Sequence, residues 1–136
     1  MLLLMPTTGF EISYGKAAVP VYRHDAAVLT VTAIPESAFS GRPNHLVAAE
    51  VDVEVFGDSF LPAYTHGDNS LVVATDSMKN IILRETASWS GATLESLLAH
   101  LGGYFLATYE QMPRLRMTGR EIRFDARSAE IGRAHV

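Results

Sequence analysis

A chain of 136 residues, 48% apolar and 19% charged, is one domain's worth of sequence with enough apolar matter for a packed core, which excludes a wholly disordered protein. Eleven basic against fifteen acidic residues leave a net charge of −4, which argues against a dedicated DNA binder. The absence of cysteine excludes a disulfide framework, a thiolate zinc site and a thiol nucleophile.

Charge is unevenly spread. Residues 114–136 carry six arginines against three acids, so a basic end follows an acidic body. That end suits contact with a partner's acidic surface or, equally, a solvated tail. Met1–Met5 is a short apolar run stopped by Pro6, without the basic flank of a secretory signal. No stretch reaches the ~18–20 apolar residues of a membrane span, so a cytoplasmic protein is expected.

Residues 8–23 read as a first strand. Phe10, Ile12 and Tyr14 alternate, Gly15-Lys16 interrupts, and Val19 and Val21 resume; Pro20 confines the strand to an edge or a bulge. Residues 26–34 are rich in β-branched side chains and predict a short strand, and 35–43 a loop. In 46–56, Val47, Ala49, Val51, Val53 and Val55 share one face while Glu50, Asp52 and Glu54 share the other. That period of two belongs to an antiparallel sheet covered on one side, and a water-facing side accounts for the carboxylates without special chemistry.

The stretch 64–70 is turn-rich, with Asp68 placed to cap a helix. Thr75 then reads as the N-cap of a helix carrying Met78, Ile81 and Ile82, with Asp76 in its first turn, where the helix end favours negative charge. A second helix spans about Thr93 to Gln111 on a stripe including Leu94, Leu97, Leu98, Leu101, Phe105, Leu106 and Tyr109. Gly102-Gly103 within it predicts close packing on a neighbouring backbone. Residues 114–124 alternate as a last strand, and the final dozen residues show no strand pattern. The order gives an α+β layout, an antiparallel sheet with two or three helical segments on one face, in one domain over 1–136.

Five scattered histidines offer no metal-ligand spacing, and neither a phosphate-cradling glycine loop nor a G-x-S-x-G turn is present. Two constellations remain. In Tyr14-Gly15-Lys16 a backbone kink could turn Lys16 inward. The chain has nine arginines and only two lysines, and lysine differs from arginine in that it can lose its proton when desolvated. Read alone, Lys16 is more plainly a snorkelling strand lysine. In 73–80 the Thr75 hydroxyl sits at a helix N-terminus, whose free N–H groups can hold an anion or an electron-rich heterocycle. An ordinary cap is the plainer reading there.

The words of the sequence go further. Tyr-Gly-Lys at 14–16, Ile-Pro-Glu-Ser-x-Phe-Ser-Gly at 34–41 and Tyr-Thr-His-Gly-Asp-Asn-Ser-Leu-Val-Val-Ala-Thr-Asp-Ser-Met-Lys-Asn at 64–80 resemble the amino-terminal half of bacterial uricase (urate oxidase). The likeness continues through Tyr109-Glu-Gln-Met and Met117-Thr-Gly-Arg-Glu-Ile-Arg-Phe124, covering roughly residues 11–126. The resemblance implies a T-fold (tunnelling fold) whose domains associate into a barrel, with helices outside. It also implies a homotetramer with active sites between subunits. The implied reaction oxidises urate with O₂ and water to 5-hydroxyisourate and H₂O₂, with no metal or organic cofactor. By motif match Lys16 and Thr75 correspond to the catalytic proton relay, and Thr75 and Asp76 to substrate contacts, Asp76 through its backbone N–H.

Uricases join two such domains in one polypeptide. The second domain supplies an aromatic stacking residue, an Arg and a Gln that clamp urate, and a relay His, none of which can be carried over to this sequence. The expectation is therefore a single, incomplete T-fold domain lacking its last strand, from a truncated, nicked or split uricase. Its partners would be urate, O₂, further copies of itself and a carboxyl-terminal half, with no nucleic acid or membrane. The alternatives are a non-catalytic T-fold remnant and another T-fold protein that binds a purine or pterin.

Overall fold

Strict alternation makes one strand the centre of the molecule. In the computed structural model, which describes residues 9–122 apart from 24–26, 39, 42, 45 and 47, that strand is β4, Ala48–Phe56. It is flanked by β1 (Ser13–Tyr22) and β5 (Arg114–Ile122), both antiparallel to it, in the order β1-β4-β5. Between them in sequence lie β2 (Leu29–Thr30), β3 (Pro43–Asn44), a 3₁₀ turn at Asp58–Phe60, α1 (Leu61–Thr65), α2 (Thr75–Ser88) and α3 (Leu94–Thr108). The expected α+β layout holds. Among the described residues the sheet stays open, with β1 and β5 as its edges. Pro20 lies on such an edge, as its missing N–H requires.

Cross-strand pairing puts Tyr14, Lys16, Val19 and Val21 of β1 on the same face as Val55, Val53, Val51 and Ala49 of β4. From β5 that face receives Leu115, Met117 and Gly119. α2 packs against β1 and α3 against β5, and Met78, Ile82, Leu97, Leu101 and Phe105 bury completely between helices and sheet. Each such side chain contributes roughly 1.5–3 kcal/mol of transfer free energy. Gly102 is the glycine that faces the sheet: a Cβ there would sit 3.3 Å from Met117 and 3.4 Å from Leu115, whereas Gly103 faces open space.

The opposite face carries the carboxylates, and β5 answers them. Arg120 makes a bidentate pair with Asp52 at 2.9 and 3.1 Å, and reaches Glu50 at 3.6 Å. Arg116 lies 3.5 Å from Glu54, and Arg114 2.7 Å from Glu11. Both Arg114 and Arg116 also cover the ring of Phe56, at 4.5 and 5.4 Å. Half of the basic segment thus neutralises the chain's own acids; Arg123, Arg127 and Arg133 lie outside the described residues, as do Val47, His24, His45, His135 and the last dozen residues.

Several local expectations need correction. The interruption of β1 falls at Ala17–Ala18, where two residues oppose Asp52 alone, and not at Gly15-Lys16. The strand expected over 26–34 reduces to Leu29–Thr30 in a two-residue ladder with β3, because its apolar side chains find no covering layer: Val28, Leu29 and Val31 are exposed. Asp68 caps no helix. Its carboxylate accepts from the Ser70 N–H at 3.0 Å in a local turn, which holds its pKa below the ordinary value. The short α1, with Pro62 in its first turn, precedes the turn-rich stretch and overlaps it only at Tyr64 and Thr65. α3 ends at Thr108, short of the expected Gln111, and Thr93 is its cap, accepting from Ser96 N–H at 3.2 Å. Leu106 leaves the expected stripe and is exposed. No described helix is long and apolar enough to cross a membrane.

Candidate functional site

Two turns of β1 backbone chemistry decide where Lys16 points. Gly15 runs so close to β4 that a Cβ there would overlap the Val53 carbonyl oxygen, so only glycine lets the strands pair at this point. Beyond Lys16 the chain bulges. Ala18 adopts a positive φ of 55°, and its N–H donates to Asp52 Oδ1 at 2.7 Å. The bulge leaves Lys16 in register with Val53, on the helix-covered face, before the strand's phase changes. Lys16 thus lies on the inward face while a third of its side chain stays exposed, as in the snorkelling reading, and the bulge that follows it lies at Ala17–Ala18.

The side chain it meets belongs to α2. Lys16 Nζ lies 3.8 Å from Asp76 Oδ1, with the lysine side chain 34% and the aspartate 89% exposed. Asp76 is the second residue of α2, and Thr75 the first. The N-cap is Ala74 and not Thr75: Ala74 carries the extended backbone of a cap (ψ 139°), and its carbonyl accepts the first helical bond, from Met78 N–H at 3.1 Å. The N–H groups of Thr75, Asp76 and Ser77 precede that bond, and the macrodipole's positive end lies among them. The structure therefore brings Lys16 to the turn that holds Thr75 and Asp76.

α2 runs alongside β1 in the same direction and is held at both ends by that strand and the residue after it. At the helix start, Tyr14 Oη accepts from Val73 N–H at 2.9 Å and donates to Val73 C=O at 3.3 Å. At its end, Arg23 donates to the carbonyls of Thr86 at 2.7 Å and Ala87 at 3.0 Å, and stacks over Trp89. The Thr86 carbonyl also accepts the Trp89 N–H at 3.3 Å; both carbonyls lie in the last turn, at the negative end of the dipole, so a guanidinium suits them. Neither role was read from the sequence. Asp52 was read only as a water-facing carboxylate; the signal that could have located its partner is the switch from even to odd positions between Lys16 and Val19.

Asp52 has its pKa held below the ordinary carboxylate value, first by the hydrogen bonds from Arg120 and then by that from Ala18 N–H. Beside the bulge, on the open face of the sheet, a shallow groove runs between Ser13, Gly15, Asp52, Glu54, Arg116 and Thr118. A larger hollow lies beyond it at the Phe56 end of β4, around Phe10, Phe56 and Arg114, and neither Lys16 nor Thr75 lines it. Among the described residues no three His, Asp or Glu side chains gather as a metal site.

No protein-family profile matches the chain. It is 50% identical to the uricase of Haloferax volcanii over 115 residues, which is 84% of this chain and 37% of that protein. It is 49% identical over 119 residues to the uric acid degradation bifunctional protein of Bacillus subtilis, covering 87% of this chain and 24% of the relative. The crystal structure of urate oxidase from Bacillus sp. TB-90 superposes with a TM-score of 0.78 at 44% identity, over 84% of this chain and 38% of that one. A uricase from Bacillus fastidious gives 0.77 at 43% identity. The resemblance to the amino-terminal part of bacterial uricases is real, and the fold is theirs: a T-fold unit whose sheet, among the described residues, does not close into a barrel. The chain spans between a quarter and two-fifths of the length of these relatives, as the 24% and 38% figures show.

Proposed function

We propose that this chain supplies the lysine–threonine part of a urate oxidase site, the rest of which comes from a carboxyl-terminal uricase half and from neighbouring subunits of a homotetramer. The observation that carries the reading is the meeting of Lys16 with the first turn of α2, 3.8 Å from Asp76 and next to Thr75. It occurs in a chain half identical to a uricase over 84% of its length.

The chemistry follows from the site. Urate is a monoanion at neutral pH and must lose a further proton as it is oxidised. O₂ takes two electrons and becomes H₂O₂, while a water oxygen adds to C5 to give 5-hydroxyisourate. The Thr75 hydroxyl can accept a hydrogen bond from one neighbour while donating to another, so it can pass a proton between the substrate, or a water, and Lys16 Nζ. Lys16 is one-third exposed in this chain. A second half of the site that covers it would remove the water that favours an ammonium and let it act as a base. The N–H of Asp76 and the positive end of α2 would hold the negative charge that gathers on the purine. No step calls for a metal or an organic cofactor.

The test mixes this chain with the carboxyl-terminal remainder of a uricase and follows the loss of urate absorbance in air. Lys16→Met and Thr75→Ala are each expected to cut turnover about 10²-fold, the range of positioned acid–base groups. Near-normal turnover in either would falsify the assignment. A second reading, a purine-binding T-fold domain without turnover, is favoured by the one-third exposure of Lys16 in this chain, and is distinguished by urate binding without urate loss in the mixture.

A further inference from the structure

Tyr14 and Lys16 occupy successive inward positions of β1, opposite Val55 and Val53. Both meet the same stretch of chain. Lys16 faces Asp76, and the Tyr14 hydroxyl engages both the N–H and the C=O of Val73, two residues ahead of Thr75. Val73 is buried, and the Tyr14 ring stands edge-on to the buried Phe60 at 5.0 Å. Ring and hydroxyl together are therefore fixed, and burial pushes the Tyr14 pKa up, so the phenol keeps the proton it donates. α2 has no side-chain cap of its own to set where it begins.

We infer that Tyr14 is a positioning residue for urate turnover: by gripping the Val73 peptide groups it fixes the first turn of α2, and with it Thr75, opposite Lys16. This inference rests on the function proposed above. It also predicts a local effect. Arg23 holds the far end of α2 independently, so losing the Tyr14 hydroxyl loosens the start of the helix and leaves the rest in place. A misplacement of about 1 Å at a relay is enough to cost up to 10²-fold in rate.

Tyr14→Phe keeps the ring against Phe60 and removes both hydrogen bonds. In the chain mixed with the carboxyl-terminal uricase half, it is expected to lower kcat about tenfold. In a Thr75→Ala background the same change is expected to cost nothing further, because a residue that acts through Thr75 has nothing left to position. An equal fractional loss in both backgrounds, or no loss in either, overturns the inference while leaving the proposed function standing. Absence of turnover by the unsubstituted mixture overturns both. Amide exchange on the whole chain gives a measurement that needs neither activity nor a folded variant. The Val73 amide is expected to exchange at least about tenfold more slowly than an unprotected one, and full exposure of that amide overturns the inference.

Discussion

Lys16 and Asp76 form an ion pair whose geometry says what it is for. At 3.8 Å, with the carboxylate 89% in water, the pair is long and screened, and exposed pairs of this kind contribute little to folding. A tight structural bridge would also tie the ammonium up. Asp76 does sit at a helix start, where a negative charge is mildly favourable. Asp76→Asn is therefore expected to lower Tm by no more than about 3 °C in a thermal melt. The proposed use of Asp76 is through its backbone N–H, so urate turnover in the reconstituted enzyme should fall far less than with Thr75→Ala. A loss as large as that of Thr75→Ala would transfer the role to the carboxylate. Tyr14 and Thr75 show how far single residues could be read. Lys16 and Thr75 stood out by chemistry and by their resemblance to uricase. The cap was placed at Thr75 because a threonine ahead of an apolar helical stripe is the usual mark of an N-cap, whereas the helix starts from Ala74, one residue earlier and without a capping side chain, a choice that local sequence does not display. The choice is made from 59 residues away, by the Tyr14 grip on Val73.

At the scale of the element, the bulge of β1 is the device that separates the site lysine from the core valines. Its cost is a non-glycine residue at positive φ, Ala18, at 55°. Its compensation is the Asp52 carboxylate, fixed by Arg120 and accepting the Ala18 N–H. Ala18→Gly is expected to be neutral or to stabilise by up to about 1 kcal/mol, since glycine reaches this conformation without a Cβ clash. Asp52→Ala is expected to cost about 1 kcal/mol by removing the hydrogen bonds from Ala18 N–H and Arg120, which lie on the exposed face, where water can replace them. The pH dependence has a definite sign. The folded-state pKa of Asp52 is depressed, so its contribution is complete above the ordinary value of 3.8 and is lost as pH falls below it toward the folded value. Urea denaturation between pH 6 and pH 2 checks this: the acid limb should be shallower in Asp52→Ala than in the unsubstituted chain. The change of phase from Lys16 to Val19 was legible as an interruption. What could not be read was that Asp52, 34 residues on from Ala18, would be the group to fill it, because strand register is a tertiary fact.

For the molecule as a whole, the sheet has one face sealed by α2 and α3 and one covered by its own ion pairs, so what it still offers is its edges. β4 is paired on both sides and its valines are buried, so its amides are expected to exchange most slowly; the exposed two-residue ladder of β2 and β3 should exchange fastest. The two edges differ. β1 is blunted by Pro20 and by its bulge, both of which discourage a further strand, whereas β5 runs from Arg114 to Ile122 without a proline or a register break. The general layout was legible because amphipathic periods survive without tertiary information. A missing last strand was expected; that β5, among the described residues, is the unblunted edge was not legible, because nothing in a strand's own alternation says how many neighbours it has. If the proposed site is completed by a second uricase half that extends this sheet, then adding that half should slow amide exchange along β5 and leave the Pro20 region of β1 unchanged. Protection that appears only around Lys16 and the start of α2, with β5 exchanging as before, would mean that the halves meet through the site itself and not through the sheet.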